Sequence, residues 1–236
     1  MNAVQAPQPV PTGPESAAAQ ALADLARADL GLAVTAAQGA SLLRYVALLR
    51  RWTRVHNLTA IRSEDEALSH HILDSLAIVA PLDELGYPEP LHVLDVGAGG
   101  GLPGIPLAIV RPAWQCTLVD AVEKKCAFLH QVRMELGLSN VQVRHARLGA
   151  RDNANIPSQD LVVSRAFASL RDFVDCSRGL LRPGGTWAAM KGKYPEQELA
   201  ELPADIRVLR TVTLRVPRLA EQRHLVLMRP DGAEKP

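Results

Sequence analysis

The residues of this chain that could do chemistry cluster between positions 95 and 120. Asp95-Val-Gly97-Ala-Gly99-Gly-Gly101-Leu102-Pro103-Gly104 follows directly on a short apolar run, Leu91 to Val96. Glycine lets a backbone turn sharply and lets a ligand approach it closely. A helix beginning beyond the loop offers unpaired N–H groups at its start. Such a loop, at the carboxyl end of a first strand, is where nucleotide-like ligands sit. Asp120 ends the next apolar run, Cys116 to Val119. A carboxylate there can accept hydrogen bonds from both hydroxyls of a ribose, so the spacing predicts a nucleoside cofactor.

Two kinds of cofactor fit. Gly99-x-Gly101-x-x-Gly104 spells the dinucleotide pattern, with Asp120 suitably further on. Two features favour S-adenosylmethionine (SAM). Asp95 stands two residues before Gly97, giving acid-x-Gly-x-Gly-x-Gly. An acid there can meet the methionine ammonium, directly or through water, whereas beside a pyrophosphate it would repel. A pair of strands after the fifth also suits a seven-stranded methyltransferase sheet. No metal is called for.

The acceptor atom is read from what is missing. Asn/Asp-Pro-Pro-Tyr, which serves exocyclic amines, and Pro-Cys, the nucleophile of cytosine C5 methylation, are both absent. The fourth strand ends in Ser164-Arg165-Ala166 and the fifth in Lys191-Gly192-Lys193. No general base stands out, so catalytic residues are left unassigned. That suits an acceptor with a lone pair at hand, such as guanine N7, for which in-line positioning matters most. Arg165 and Lys191 are expected over the carboxyl edge of the sheet, near cofactor and substrate phosphate. His70 and His71, neighbours on a helix, point about 100° apart and make a poor metal pair. Trp52 reads as core, and Asp74 as a local cap or pair.

The elements that position these groups divide in two. Residues 1–15 hold four prolines and one charge and read as a disordered tail. Residues 16–88 read as a helical region. Ser16 to Leu30 ends at Gly31, and a second helix is capped by Thr35 and carries the stripe Leu42, Tyr45, Leu49, Trp52. A third, with Ser63 and Glu66 as a capping box, runs through His70, His71 and Leu76. Pro81 to Pro90 is turn-rich and reads as a boundary.

Residues 89–230 alternate strands with helices. Strands are expected at Leu91–Val96, Cys116–Val119, Val141–Val143, Asp160–Val163 and Thr186–Met190. Helices are expected at Pro103–Val110, Val122–Leu136 and Leu170–Leu181, the last closed by Pro183-Gly184-Gly185, with a short one at Glu196–Glu201. Ile206–Leu214 and His224–Met228 close the sheet as an antiparallel edge hairpin, and 231–236 is a tail. This is an α/β class, a doubly wound, mostly parallel sheet with a terminal antiparallel strand and a small N-terminal helical extension.

Composition sets outer limits. At 236 residues and 47% hydrophobic, the chain can bury a core without disulfides or metals. No apolar run is long enough to span a membrane and no signal peptide is apparent, so a cytoplasmic protein is expected. Cys116, Cys126 and Cys176 read as reduced thiols. The net charge of +1 hides local excess. Six arginines lie from Arg27 to Arg62 against Asp29, and six from Arg207 to Arg229 against Glu221. On composition alone, a bias toward arginine and alanine codons, with ordinary solvated faces, accounts for this better than phosphate binding does.

At this point the sequence resembles a known family. Asn57-Leu58-Thr59-Ala60-Ile61 and His71-Ile-Leu-Asp74-Ser75-Leu76 precede the glycine loop at that family's spacing. Leu102-Pro103-Gly104-Ile105-Pro106, Phe128-Leu129, Ser164-Arg165-Ala166 and Lys191-Gly192 complete the match, from about residue 40 to 228. It is similar to the RsmG (GidB) family, the bacterial 16S ribosomal RNA guanine-N7 methyltransferases. The resemblance implies SAM-dependent transfer of one methyl to N7 of a guanine in 16S rRNA, within the small ribosomal subunit. It implies cofactor contacts at Gly97, Gly99 and Leu102 in the loop, at the adenine-contacting pair Leu148 and Gly149, and at Arg165; Asp120 fits the ribose role on chemistry. One departure stands out: the family's usual Arg-x-Glu is here Arg147-Leu148-Gly149, which keeps a backbone N–H for adenine and loses a carboxylate. With this resemblance the arginine-rich helices become a candidate RNA-phosphate face, Arg50 and Arg54 foremost, with Lys191. A monomer is the working state.

Rival readings remain at this level. A SAM methyltransferase of a small molecule or protein would lack steep salt dependence. A nucleotide-binding regulator would bind SAM yet release no S-adenosylhomocysteine. A dinucleotide oxidoreductase would bind nicotinamide cofactor instead of SAM.

Overall fold

A computed structural model describes residues 14–56, 61, 63–149 and 156–232. Asn57 to Ala60 of the first family motif, most of the expected N-terminal tail and the last four residues lie outside the described residues. The first helix, α1, covers Pro14–Leu30 and so takes in the last two residues assigned to that tail. Gly31, at φ +64°, ends it. α2 spans Ala36–His56. Its start is a reciprocal cap: the Gln38 N–H donates to Thr35 Oγ1 at 3.2 Å, and the Thr35 N–H donates to Gln38 Oε1 at 2.9 Å. Leu42, Tyr45 and Leu49 are buried along one stripe. Trp52 packs on Phe128 and donates its Nε1–H to Gln131, the core role its sequence setting implied.

The third helical stretch departs from expectation. Ser63 Oγ accepts the Glu66 N–H and starts α3, Glu64–Ala67. The chain then widens into a π turn over Leu68–Leu73 before α4, Asp74–Leu76. Widened turns of this kind are rare and recur at functional sites. This one carries His71 and leads straight into Asp74, both buried. α5, Val79–Asp83, overlaps the stretch read as a boundary.

The sheet has seven strands in the order β3-β2-β1-β4-β5-β7-β6. These are β1 His92–Val96, β2 Gln115–Asp120, β3 Val141–His145, β4 Gln159–Arg165, β5 Leu181–Lys191, β6 Ile206–Leu214 and β7 Arg223–Pro230. β1 to β5 are parallel; β7 is antiparallel to β5 and β6, so the closing strands do form the expected hairpin. Between the strands lie α6 Gly104–Val110, α7 Glu123–Glu135, α8 Leu170–Ser177 and α9 Glu196–Ala200. Pro183-Gly184-Gly185, expected to close a helix ahead of the fifth strand, instead lies within β5. Gln159 pairs with Leu181 but Leu161 pairs with Thr186, so the residues between bow out of the ladder. The Tyr87 hydroxyl, donating to the Gly184 carbonyl at 2.9 Å, pins that bow.

Strand parity sorts the side chains. Val93, Leu118 and Val163 point to one face, where α6, α7 and the N-terminal helices pack; Leu94, Val162 and Trp187 point to the other, under α8. The first cluster runs from Leu22 to Leu227, so the helical region and the sheet share one core. Asp95 pairs with Leu118 and Val163. Asp120 and Arg165, two residues further along their strands, therefore share the face of Asp95. Lys191 follows Met190, the partner of Arg165, and falls on the opposite face.

Candidate cofactor site

The strand order reverses between β1 and β4, and the glycine loop leaves the carboxyl end of β1 at that switch point. Asp95 is 1% exposed. Its Oδ2 accepts the Gly104 N–H at 2.8 Å, and its Oδ1 has no hydrogen-bond partner among the described residues. Burial pushes the carboxyl up to about 7, against the pull of the Gly104 N–H and the Arg165 guanidinium. A buried carboxylate oxygen without a donor is costly. An ammonium group brought to it removes that cost, so the loop fits the methionine end of SAM.

Asp120 is equally organised. Its Oδ2 accepts the Gly99 N–H and its Oδ1 accepts the Val122 N–H, both at 2.9 Å. The Lys125 ammonium stands 3.7 Å from Oδ2. Each oxygen keeps acceptor capacity for a ribose hydroxyl. Beside it opens a cavity of about 220 Å³ lined by Gly97, Asp120, Ala146, Leu148 and Phe167 among others. Gly97 sits at φ +67°, and a Cβ there would meet nothing within 4 Å, so its backbone is bare to the cavity. The volume lies below the ~300–1,000 Å³ of whole-ligand clefts. It suits an adenine ring with its ribose, the remainder reaching along the loop to Asp95.

The predicted cofactor residues thus divide. Gly97, Asp120 and Leu148 meet at the cavity, and Gly99 joins them through Asp120. Gly149 follows Leu148 in the loop after β3. The Leu102 side chain packs into the core. Arg165 stands on the Asp95 side, near enough to act electrostatically on Asp95 and Tyr45.

Sequence reasoning missed what holds Arg165. Its Nη1 donates to the His70 carbonyl at 2.9 Å and lies 3.3 Å from Asp74 Oδ2; His71 Nδ1 lies 3.5 Å from both terminal nitrogens. Burial, aided by Arg165, pushes His71 down to about 4, so its ring is neutral at ordinary pH. Asp74, expected to cap or pair locally, pairs instead across the fold with Arg165 and with Arg223. Tyr45 was legible only as an apolar-stripe residue. Its hydroxyl donates to the Gly100 carbonyl and ties α2 to the glycine loop.

The basic candidates are placed unevenly. Arg50 and Arg54 line a cavity of about 250 Å³ with Thr53 and Ile61; Arg54 is exposed and Arg50 half-buried. Arg44 and Arg51 both reach Glu135 of α7, so part of that excess docks α2 internally. Lys191 stands at the same carboxyl edge with its side chain on the face opposite Arg165: it is paired with Glu198 at 2.7 Å and donates at 3.1 Å to the carbonyl of Phe167, a residue of the cofactor cavity. In the second cluster, Arg210 pairs with Glu84, and Arg229 is buried against Thr186. Among the described residues, no helix is long and apolar enough to cross a membrane.

Known proteins share this fold. A SAM-dependent methyltransferase from Aquifex aeolicus superposes with a TM-score of 0.54 at 20% identity, covering 70% of this chain and 93% of its own. TrmN from Thermus thermophilus gives 0.52 at 19%, covering 69% and 53%. At such identities the likeness is one of fold. Sequence goes further. Proteins named ribosomal RNA small subunit methyltransferase G are 48% identical over 219 residues in Bordetella avium (92% of this chain, 96% of the relative). In Burkholderia ambifaria the figure is 50% over 208 residues (87% and 90%). The family model described as rRNA small subunit methyltransferase G matches residues 38–226, taking in the glycine loop, Asp74, Asp120, Arg165 and Arg223. By sequence over most of its length, the chain belongs to the rRNA small subunit methyltransferase G family.

Proposed function

We propose that this SAM-dependent rRNA methyltransferase acts in the cytoplasm as a monomer and methylates N7 of one guanine in 16S rRNA, within the small ribosomal subunit. Family membership carries the reaction class. The structural observation that supports the cofactor roles is the buried, unpartnered Oδ1 of Asp95 at the mouth of the glycine loop. SAM, when bound, would supply a sulfonium-activated methyl group to an acceptor lone pair, with S-adenosylhomocysteine as the leaving group.

The chain's own residues bind and orient. Asp95 takes the methionine ammonium, Asp120 the ribose hydroxyls, and Gly97, Leu148 and Gly149 the adenosine end. Arg165, held by the His70 carbonyl and Asp74, presents its charge at the methionine side. Guanine N7 carries its lone pair in the neutral base, so the transfer removes no proton. Asp74 is committed to two arginines, and His71 is shielded behind Arg165. Arg54, on the exposed flank of α2, meets RNA phosphate with Arg50.

Incubating the protein with methyl-labelled SAM and unmethylated small subunits, then identifying the labelled nucleoside by mass, tests this reading. Labelled 7-methylguanosine in the 16S RNA is the expected result. Label in another nucleoside, or none with SAM binding intact, overturns the acceptor.

A further inference from the structure

Asp74 is 3% exposed, and beyond holding Arg165 its charge has no part in the transfer. Its carboxylate is divided between two arginines: Oδ2 lies 3.3 Å from Arg165 Nη1, and Oδ1 lies 3.1 Å from Arg223 Nε. The partners are 91 and 149 residues away in sequence. They come from the end of β4 and the start of β7. Because β7 runs antiparallel to β5, its first residue stands at the same carboxyl edge of the sheet where β4 ends.

One carboxylate faces two guanidinium groups at this edge, with Asp95 within electrostatic reach of Arg165 and Glu221 3.8 Å from His70. The two arginine side chains are 22% and 21% exposed, so both guanidinium groups reach solvent. Arg223 Nη1 donates to the Gln222 carbonyl, while its Nη2 makes no hydrogen bond among the described residues. With Nε and Nη1 both committed, Nη2 is left to donate a charge-assisted hydrogen bond to an oxyanion. A carboxylate buried only to join helix to sheet would be replaceable by apolar packing at no loss. Burial raises the Asp74 carboxyl on balance, with both arginines pulling it back down.

We propose that Asp74 is a positioning residue that binds Arg165 and Arg223 into one anion receptor, Arg165 serving the cofactor side and Arg223 a phosphate of the RNA substrate. This rests on the rRNA methyltransferase reading above. The π turn over Leu68–Leu73 sets Asp74 between the two arginines, and the receptor couples the N-terminal helices to cofactor and substrate together.

Two variants separate the arms, with SAM binding measured by calorimetry and methylation of small subunits by label transfer. Arg223→Gln should keep the wild-type SAM Kd, raise the RNA KM about tenfold, and reduce the slope of log KM against log salt by about one. Asp74→Asn should raise both the SAM Kd and the RNA KM by about tenfold, the size of one lost charge-assisted hydrogen bond. An Arg223→Gln enzyme with wild-type KM and salt slope overturns the proposal. So does a folded Asp74→Asn protein with wild-type Kd and KM. Should Asp74→Asn melt below the assay temperature, Asp74→Glu replaces it. That variant keeps the charge and displaces the arginines, so the proposal expects the same joint loss, and wild-type values refute it. If the wild-type protein labels no RNA, the substrate reading has failed instead, and the SAM Kd of the Asp74 variant still decides whether Asp74 positions Arg165.

Discussion

The Gly104 N–H donates to Asp95 Oδ2 at 2.8 Å, and a Cβ on Gly104 would stand 2.7 Å from that same oxygen. The two residues therefore specify each other. The carboxylate is held by an amide that can come so close only because its residue has no side chain. With Oδ2 fixed, Oδ1 is left aimed and unpartnered.

Gly104→Ala tests that closeness. The added methyl also meets Leu118 Cγ at 3.1 Å, so backbone or side chain must move. Overpacking of this kind costs about 1–3 kcal/mol, readable as a lower urea midpoint, and the SAM Kd should rise as Asp95 shifts. Gly97→Ala is the contrast. Its methyl meets nothing, but φ is +67°. The expected stability loss is about 1 kcal/mol from strain alone, with weakened SAM binding because the methyl enters the cavity. Unchanged SAM affinity in Gly97→Ala would remove the loop backbone from the site.

Asp95 predicts a pH dependence. Its carboxyl rises from 3.8 unfolded to about 7 folded. The native state therefore holds a proton that the unfolded state has released, and this contribution to stability is present below about 4 and lost as pH climbs to about 7. Cofactor binding runs the other way. An ammonium group prefers the ionised carboxylate, so SAM should bind more tightly as pH rises through about 7. Asp95→Asn should flatten both profiles, measured by urea melts and by calorimetry across that range.

Tyr45→Phe removes the hydroxyl that α2 extends to the Gly100 carbonyl. The expected cost is about 1 kcal/mol of stability, with a larger fractional loss of SAM affinity, because the loop loses its tether while the core contacts of the ring remain. Equal proportional effects on chemical denaturation and SAM binding would make Tyr45 a core residue only.

Arg54→Glu addresses the RNA face. Arg54 is exposed and does not line the cofactor cavity, so SAM affinity should hold. The KM for small subunits should rise several-fold, and the salt slope should fall by about one. A wild-type KM with a wild-type salt slope would take α2 out of the RNA interface.

The sequence alone determined the local parts of this protein. Capping pairs such as Ser63 with Glu66, apolar runs ending in Asp95 and Asp120, and glycines at turn positions are short-range signals, because each is satisfied within a few residues of backbone. From them the strand–helix alternation, the cofactor loop and the family motifs were legible. The tertiary structure decided which of those residues meet. Arg165 and Lys191 look equivalent at two strand ends, but one step of register puts them on opposite faces, where one turns to Asp74 and the other to Glu198. Asp74 has no local signal for its partners, since ion pairs across 91 and 149 residues follow no periodicity. The Pro183-Gly184-Gly185 bow and the π turn before Asp74 likewise depend on what packs against them. Side-chain parity and long-range charge pairing exist only once the sheet has closed, and they bring the chemistry of the two halves to one edge.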